Sequence, residues 1–450
     1  MNRRDLMGSA GALALAALLS PAGLAKGVAR SVPAPNFILI MCDDLGFGDI
    51  QPYGGTIPTP NINRLAAEGV TLDNYYAPAN LCTPSRAGIL TGRQPIRSGL
   101  GWEVLLETDA RGLPVSERTI ADELAPRYAS ALIGKWHLGT APQYWPPTKH
   151  GFDLFYGIPY SHDMTPLALF ESHAGSDAVA SQPVELASLQ EKFCRRAEAF
   201  IDEHRAKPFF LELALSAPHL PTVPPEPFKH TSKAGSYGDV VREIDSIVGR
   251  IVDKIDALGL AENTLIMFTS DNGPWFEGSP GPLRDRKGGS AYDGASHVPF
   301  LARMPRTLPP ATRTKAIASG LDILPTLCAM AGVTPDNDEL DGLDMQAVLK
   351  GSATSPRDEI VLFNNESVVG IRTQRWKYVS ETYYRGGRTD YVERGYPQLY
   401  DMELDQGENY SVADLYPDVL ADMQARWRAA VEKFAPFRTP RPKGFDWVSE

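Results

Sequence analysis

Asn36-Phe37-Ile38-Leu39-Ile40-Met41-Cys42, followed at once by Asp43-Asp44, is a continuous apolar run that ends on two carboxylates. An apolar run without alternation is what a strand buried on both faces requires. Two aspartates cannot be buried unpaired, so they mark the end of that strand. The same grammar recurs downstream. Ala129 to Gly134 ends at Lys135-Trp136-His137, Phe209 to Ser216 at Ala217-Pro218-His219, and Thr264 to Ser270 at Asp271-Asn272-Gly273. Helical periodicity fills the intervals: Asn61 to Glu68, about Val184 to His204, and an amphipathic series from Val240 to Leu258. Strands alternating with helices predict an α/β fold with a large, mostly parallel sheet covered by helices on both faces. Ligands bind such sheets beyond the carboxyl ends of the strands, so these strand ends are expected to share one site.

After about Leu349 the pattern changes. Gly370 to Tyr384 alternates like an antiparallel hairpin, Gln398-Leu399-Tyr400-Asp401 reads as a short strand, and a helix follows from about Val419 to Phe434. The expectation is a catalytic domain over residues 35–350 and a smaller C-terminal α+β subdomain with an antiparallel sheet over 356–450, the boundary falling within Lys350 to Arg357.

The chain has 450 residues, enough for a large core, and a formal net charge of −11. That charge argues against a nucleic-acid partner but leaves room for an anionic substrate in a locally cationic pocket. Residues 1–25 read as an export signal: Arg3-Arg4 precede an Ala- and Leu-rich run, and Gly23 and Ala25 suit cleavage after Ala25. Asn2-Arg3-Arg4-Asp5-Leu6-Met7 resembles a twin-arginine signal, which exports folded proteins. The alternative is a membrane anchor, but the run is short and rich in small residues. An exported protein, in a bacterial periplasm or secreted and without stable membrane insertion, is expected. The cysteines, 4 in all, are too few for a disulfide scaffold, and Cys42, Cys194 and Cys328 are expected to pack in the core.

Cys82-Thr83-Pro84-Ser85-Arg86 lies between the first strand and the second strand end. Pro84 suits the first turn of a helix, which places Cys82 just before the N-terminus. There the helix dipole and free N–H groups would favour a thiolate or an oxyanion. A reactive but functionless loop cysteine is the alternative on these residues alone. Asp43, Asp44, Asp271 and Asn272 offer only oxygen atoms, a set that suits a hard cation such as calcium better than zinc. Taken alone, Asp271-Asn272-Gly273-Pro274 also fits an ordinary turn.

Cys82-Thr83-Pro84-Ser85-Arg86 with Leu90-Thr91-Gly92-Arg93 resembles the C-x-P-x-R signature of the type I sulfatases, on their alkaline-phosphatase-like fold. Asp43-Asp44-Leu45-Gly46, Gly134-Lys135-Trp136-His137-Leu138-Gly139 and Asp271-Asn272-Gly273 are similar to further sulfatase motifs in the same order. Gly157-Ile158-Pro159-Tyr160-Ser161-His162-Asp163 resembles the branch containing arylsulfatase A and N-acetylgalactosamine-6-sulfatase. The resemblance covers roughly Pro35 to Pro305. It implies hydrolysis of aryl sulfates or sulfated sugars by a formylglycine formed from Cys82, with a formylglycine-generating enzyme as maturation partner. It also implies that calcium is held by Asp43, Asp44, Asp271, Asn272 and the modified Cys82. Arg86, Lys135 and His137 would contact the formylglycine gem-diol, and His219, Ser161 and Lys287 the sulfate or the leaving oxygen. Lys135 and Lys287 would also neutralise sulfate charge, with His219 or Lys287 as acid and His137 as base. A serine could not replace the diol, because it lacks the second hydroxyl that expels sulfate.

The chain departs from many relatives at Gly294-Ala295-Ser296-His297-Val298-Pro299, where they read Gly-Gly-x-Arg-Val-Pro, and at Arg303-Met304-Pro305, where they often have Trp-Pro. Two other readings stand beside the sulfatase. A formylglycine-dependent phosphonate or phosphate ester hydrolase would use the same fold; a dizinc phosphatase would want histidine where Asn272 stands. A catalytically inactive sulfated-glycan-binding protein would be expected to lack a residue of the set, and none is missing. Trp102, Glu103 and the loop from Ser172 to Gln182 are candidate specificity elements. His150, His173, His204 and His230 are expected to be surface or structural groups.

Overall fold

The computed structural model describes residues 34–442 apart from 290, 338, 385 and 386. The export signal expected at residues 1–25 lies outside the described residues. Ten strands form one sheet: β1 (Asn36–Asp43), β2 (Val70–Tyr76), β3 (Ala129–Lys135), β4 (Leu154–Ile158), β5 (Ala168–His173), β6 (Val179–Pro183), β7 (Phe209–Pro218), β8 (Thr264–Ser270), β9 (Phe300–Arg303) and β10 (Thr312–Ser319). Their order is β10-β2-β9-β8-β1-β7-β3-β4-β5-β6. The centre is parallel, β1 lying between β7 and β8 with Ile38 opposite Leu211 on one side and Ile266 on the other. Antiparallel pairing is confined to β9, inserted between β2 and β8, and to the edge strands β5 and β6.

The apolar run of β1 explains its central position. Phe37, Leu39 and Met41 enter one core, and Ile38, Ile40 and Cys42 enter the other. Every residue of the strand is buried. Each such aliphatic or aromatic side chain contributes roughly 1.5–3 kcal/mol on burial. The helices are α1 (Pro60–Ala67), α2 (Cys82–Thr91), α3 (Ile120–Leu124), α4 (Leu189–His204), α5 (Gly235–Ala257), α6 (Ile323–Ala331) and α7 (Gln346–Leu349). Ile89 and Leu90 of α2 and Leu324 and Leu327 of α6 cover the first core. Phe193 and Phe200 of α4 and Ile244 and Ile251 of α5 cover the second.

Two helix starts differ from the sequence reading. Leu186–Ser188 make a 3-10 turn before α4, which keeps Leu186 against the core while delaying α-helical bonding. The first turn of α5 begins at Gly235 and buries Tyr237, whose hydroxyl donates to Asp49, so an aromatic rather than an aliphatic periodicity starts this helix.

Beyond residue 356 a four-stranded antiparallel sheet forms from β11 (Glu359–Asn364), β12 (Ser367–Thr373), β13 (Trp376–Val379) and the strand Gln398–Asp401. The helix Pro417–Phe434 packs Met423, Ala430 and Phe434 on it. The stretch Gly370 to Tyr384, read as one hairpin, divides. β12 pairs with β13, whereas Glu381–Tyr384 leaves to pair with Gly387–Asp390 as a separate ribbon. A buried network ties this sheet to the large one. Lys377 Nζ lies 2.6 Å from Asp293 Oδ1 and 2.7 Å from Glu408 Oε1, and Tyr76 donates to Asp293 Oδ2. His297 places Nδ1 3.1 Å from the same Asp293 oxygen.

Cys42, Cys194 and Cys328 are free and buried, as expected of core cysteines. Among the described residues no helix is long and apolar enough to cross a membrane.

Candidate active site

The strand ends do converge. β1 delivers Asp43 and then turns sharply at Asp44, whose φ is +66°. β3 delivers Lys135 and turns at His137, with φ of +58°. Left-handed backbone at two non-glycine residues is costly and is sustained here by the buried packing around both. β8 ends beside Asp271 and Asn272, and β7 is followed by His219. Lys287 arrives on a loop whose backbone is fixed at both sides: its N–H donates to Pro274 O at 3.0 Å, and that of Gly288 to Asn80 O at 3.0 Å.

Asp43, Asp44, Asp271 and Cys82 each bring one ligand-type atom within 4.8 Å of the others. Cys82 Sγ lies 3.3 Å from Asp43 Oδ1 and 3.8 Å from Asp44 Oδ1. Cations meet these carboxylates in pairs. Lys135 Nζ is 2.7 Å from Asp43, Lys287 Nζ 2.8 Å from Asp44, and Arg86 Nε 2.8 Å from Asp271. Arg86 also donates to the Lys135 carbonyl, which links α2 to the end of β3. Burial would raise the Asp43 carboxyl, but Lys135, followed by His219, Arg86 and Lys287, outweighs it and holds the group well below the usual range. At Asp271 burial prevails over Arg86, with Asp43 adding to it, and the carboxyl is pushed up to about 6.

Cys82 differs from its expected state. It is the first residue of α2, capped by Leu81, and not a residue ahead of the helix; it is buried. Burial pushes its thiol well above the ordinary value, and the carboxylates of Asp43 and Asp271 add to that, against the opposing pull of Lys135 and Lys287. The dipole of α2 is therefore not enough to make a thiolate here. As an unmodified cysteine the residue is a neutral thiol.

His137 is buried, with Nε2 2.9 Å from Leu105 O and Nδ1 without a partner. A carbonyl only accepts, so Nε2 carries the proton and Nδ1 keeps its lone pair. Burial, then Lys135, lowers its basicity well below the ordinary range. His219 places Nδ1 2.6 Å from Leu220 O and Nε2 3.7 Å from Asp44 Oδ2. Ser161 Oγ is buried without a partner, and the ring of its neighbour His162 stands edge-on to that of His219 at 5.5 Å.

The donor set fits a hard cation. Three carboxylates come together beside Asn272, whose Nδ2 donates to Asp44 Oδ1 at 2.8 Å and whose Oδ1 is buried without a partner, and no imidazole belongs to the close cluster. Such an oxygen is costly to bury unless something binds it.

Several supporting residues carried no sequence signal of their own. His162 was visible only as part of the Gly157–Asp163 stretch; it bonds Ser216 and Leu220 O and is pushed down to about 4 by burial, then by His219. Asn80 donates to Gly289 O and to Asn364, joining the lysine loop to the C-terminal sheet. Trp102, a candidate specificity element, has its ring buried and its Nε1 donates to Thr439 O, which matches the core-packing alternative. The Ser172 to Gln182 segment joins edge strands β5 and β6, far along the sheet from β1 and β8. His150 is buried with Nε2 bonded to Tyr144 O, and His173 is exposed.

The Sulfatase family profile matches residues 35–333. Human (Homo sapiens) arylsulfatase A is 37% identical, over 88% of this chain and 87% of its own. N-acetylgalactosamine-6-sulfatase of Canis lupus familiaris is 34% identical, over 80% of this chain and 74% of its own. The crystal structure of PsFucS1 sulfatase from Pseudoalteromonas sp. superposes with a TM-score of 0.82 at 26% identity, covering 91% of this chain and 92% of that one. The chain belongs to the sulfatase family and is a sulfuric ester hydrolase.

Proposed function

We propose that this sulfatase hydrolyses its ester on a formylglycine derived from Cys82, with calcium held by Asp43, Asp44, Asp271 and Asn272. The observation that carries this reading is the convergence of Arg86, Lys135 and Lys287 with three carboxylates on one buried thiol. A sulfate monoester repels nucleophiles through its own anionic oxygens. Arg86, Lys135 and Lys287 would offset that charge, most strongly as it moves in the transition state. Calcium, when bound, adds positive charge that polarises the sulfate. Formylglycine supplies, as its hydrate, two hydroxyls that an unmodified cysteine or serine lacks.

The remaining roles follow from protonation. His219 and Lys287 are the candidates to give a proton to the departing alcohol, since both stand on the Asp44 carboxylate. His137 keeps a free Nδ1 lone pair that could take a proton, and burial with Lys135 beside it makes that nitrogen a weak base. Ser161 Oγ is free to donate to a sulfate oxygen. The relatives' names favour an aryl or sugar sulfate over a phosphate ester. We further propose export to the periplasm or beyond, and maturation by a formylglycine-generating enzyme.

The test is peptide mass spectrometry of the segment around Cys82, from a host with a converting enzyme, paired with turnover of 4-nitrophenyl sulfate and 4-nitrophenyl phosphate. An aldehyde at residue 82 and faster sulfate hydrolysis are expected. Full turnover with an intact thiol would overturn the formylglycine; faster phosphate hydrolysis would assign the site to phosphoesters.

A further inference from the structure

We propose that the cavity between the β2–β10 edge of the large sheet and the C-terminal sheet is a second ligand site, suited to an aromatic monocarboxylate and separate from the mouth at Cys82.

The cavity measures about 390 Å³, within the range that holds a small molecule. Three parts of the chain build it. The loop after Asp44 supplies Phe47 and Tyr53, and strands β2 and β10 supply Asp73, Arg313 and Lys315. The C-terminal sheet and the loop after its last strand supply Arg372, Met402 and Gln406. Pro282 and Leu283, shortly before Lys287, line it as well. Asp43, Asp44, Cys82, Asp271 and Lys287 do not. The cavity therefore backs onto the loops that carry Asp44 and Lys287 without sharing their charged groups. Those two loops are clasped together, Gly48 N–H donating to Ser279 O at 2.8 Å.

One wall is aromatic and fixed in place. The rings of Phe47 and Tyr53 meet at 4.4 Å with an interplanar angle of 52°. The Tyr53 hydroxyl donates to Leu72 O at 2.8 Å and accepts from Phe300 N–H at 3.0 Å, and Phe47 leans on the His297 ring at 4.7 Å. A wall held this firmly before binding costs little ordering entropy when a flat ring is laid on it. Leu283 and Met402 add apolar surface.

The charged lining selects the ligand's polar group. Arg313 Nε lies 2.7 Å from Asp73, and Glu403, also in the lining, faces Arg375 at 3.9 Å. His297 is engaged at both ring nitrogens, by Asp293 and by Asp73 O. Lys315 is different: its ammonium has no ion pair or hydrogen bond among the described residues. Arg372 is buried, with Nε donating to Tyr76 Oη at 3.0 Å and Nη1 to Thr373 O, and Nη2 has no partner among the described residues. A buried guanidinium N–H left unpaired is costly, and an acceptor in the cavity would remove that cost. Tyr76 donates in turn to Asp293, so Arg372 already has a share in that carboxylate. Lys315 is then the one lining charge with no counterpart. A single uncompensated charge and two donor groups match the two oxygens of a carboxylate; a phosphate monoester would bring a second negative charge with nothing to meet it. An aromatic ring for the Phe47–Tyr53 wall and one carboxylate for Lys315 and Arg372 define the class.

Calorimetry on the full-length protein with 2-naphthoate tests this, in buffer containing inorganic sulfate to fill the mouth at Cys82. One molecule should bind per chain, and the melting temperature should rise with it. Lys315→Ala and Gln406→Glu alter exposed side chains and should keep the wild-type circular dichroism spectrum. Each should weaken 2-naphthoate about tenfold, the first by removing a charged partner and the second by adding an opposing charge. Naphthalene-2-carboxamide, of the same shape without the charge, should lose at least as much, and 2-naphthyl phosphate and naphthalene-2-sulfonate should bind less tightly than the carboxylate. The inference is overturned by absence of binding, or by affinity that is the same in both variants as in the wild type. Displacement of 2-naphthoate by sulfate would place it in the Cys82 mouth and equally refute a second site. Tighter binding of the phosphate or sulfonate would refute the carboxylate class.

Discussion

The ammonium of Lys287 lies 2.8 Å from each oxygen of the Asp44 carboxylate. One residue comes from the loop after β8 and the other from the turn after β1, so a single contact closes the mouth across the sheet. His219 approaches the same carboxylate at 3.7 Å. Burial would lower the Lys287 ammonium, but the carboxylates of Asp44, which it hydrogen-bonds, and Asp43 raise it well above the ordinary value. Lys287 is therefore protonated across the working pH range, and the pair of candidate acids can be separated by kinetics.

Loss of the group that protonates the leaving oxygen should hurt poor leaving groups more than good ones. His219→Ala and Lys287→Ala are compared with Lys135→Ala on a series of sulfate esters, plotting log rate against leaving-group pKa. Lys135→Ala should lower all members alike, by about a hundred- to a thousandfold, because it neutralises charge common to every ester. The variant lacking the acid should steepen the slope. If both keep the wild-type slope with chemistry rate-limiting, neither is the acid.

Cys82→Ser should leave the fold intact and nearly abolish turnover, because serine fills the same space in the first turn of α2 but cannot become an aldehyde through a cysteine-dependent enzyme. Circular dichroism and multiple-turnover assays check this. Near-wild-type turnover would refute it.

Calcium added to chelated protein should raise the melting temperature, since an ion bound only to the folded state stabilises it by about 2.7 kcal/mol at a hundred times its dissociation constant. Asp44→Ala and Asp271→Ala should remove that response together with activity. Full activity in metal-free protein would count against the assignment.

Glu212 sits in the middle of β7 between Leu39 and Leu132, fully buried and with one carboxyl oxygen unpartnered. Burial pushes it up to about 7 against a slight opposing pull from Arg86. The folded state thus holds this proton more tightly than the unfolded state, so stability falls as pH rises from about 4.5 to about 7 and levels off above that. The displacement corresponds to about 3 kcal/mol at most. Glu212→Gln should flatten the profile in that window. Thermal unfolding of both proteins across it is the check, and identical slopes would refute the assignment.

The central sheet was legible because β1, β3, β7 and β8 announce themselves twice, by unbroken apolar runs and by the charged residues that end them. The short antiparallel strand β9 was not, since Phe300–Arg303 is too brief to show a period and Pro299 and Pro305 bracket it. The site residues were readable as strand-end chemistry, and the structure brings the charged ones together. The protonation state of Cys82 was not readable. A helix N-terminus argues for a thiolate, and only three dimensions show that Asp43 stands 3.3 Å from the sulfur in a water-excluded pocket. The tie from Asp293 to Lys377 and Glu408 was equally hidden, because its partners lie 84 and 115 residues away along the chain.

The burial of α2 sets an order of events. Every residue from Cys82 to Thr91 is buried, so a modifying enzyme has no purchase on the thiol once the sheet has closed over it. If Cys82 is converted as proposed, conversion would have to come before the fold closes around α2, and a chain that folded first would keep its thiol. If the twin-arginine-like leader delivers folded protein, that order is settled before export begins. Under that maturation, catalytic competence would be decided during synthesis, and the fraction of active molecules in a preparation would record how often conversion came first.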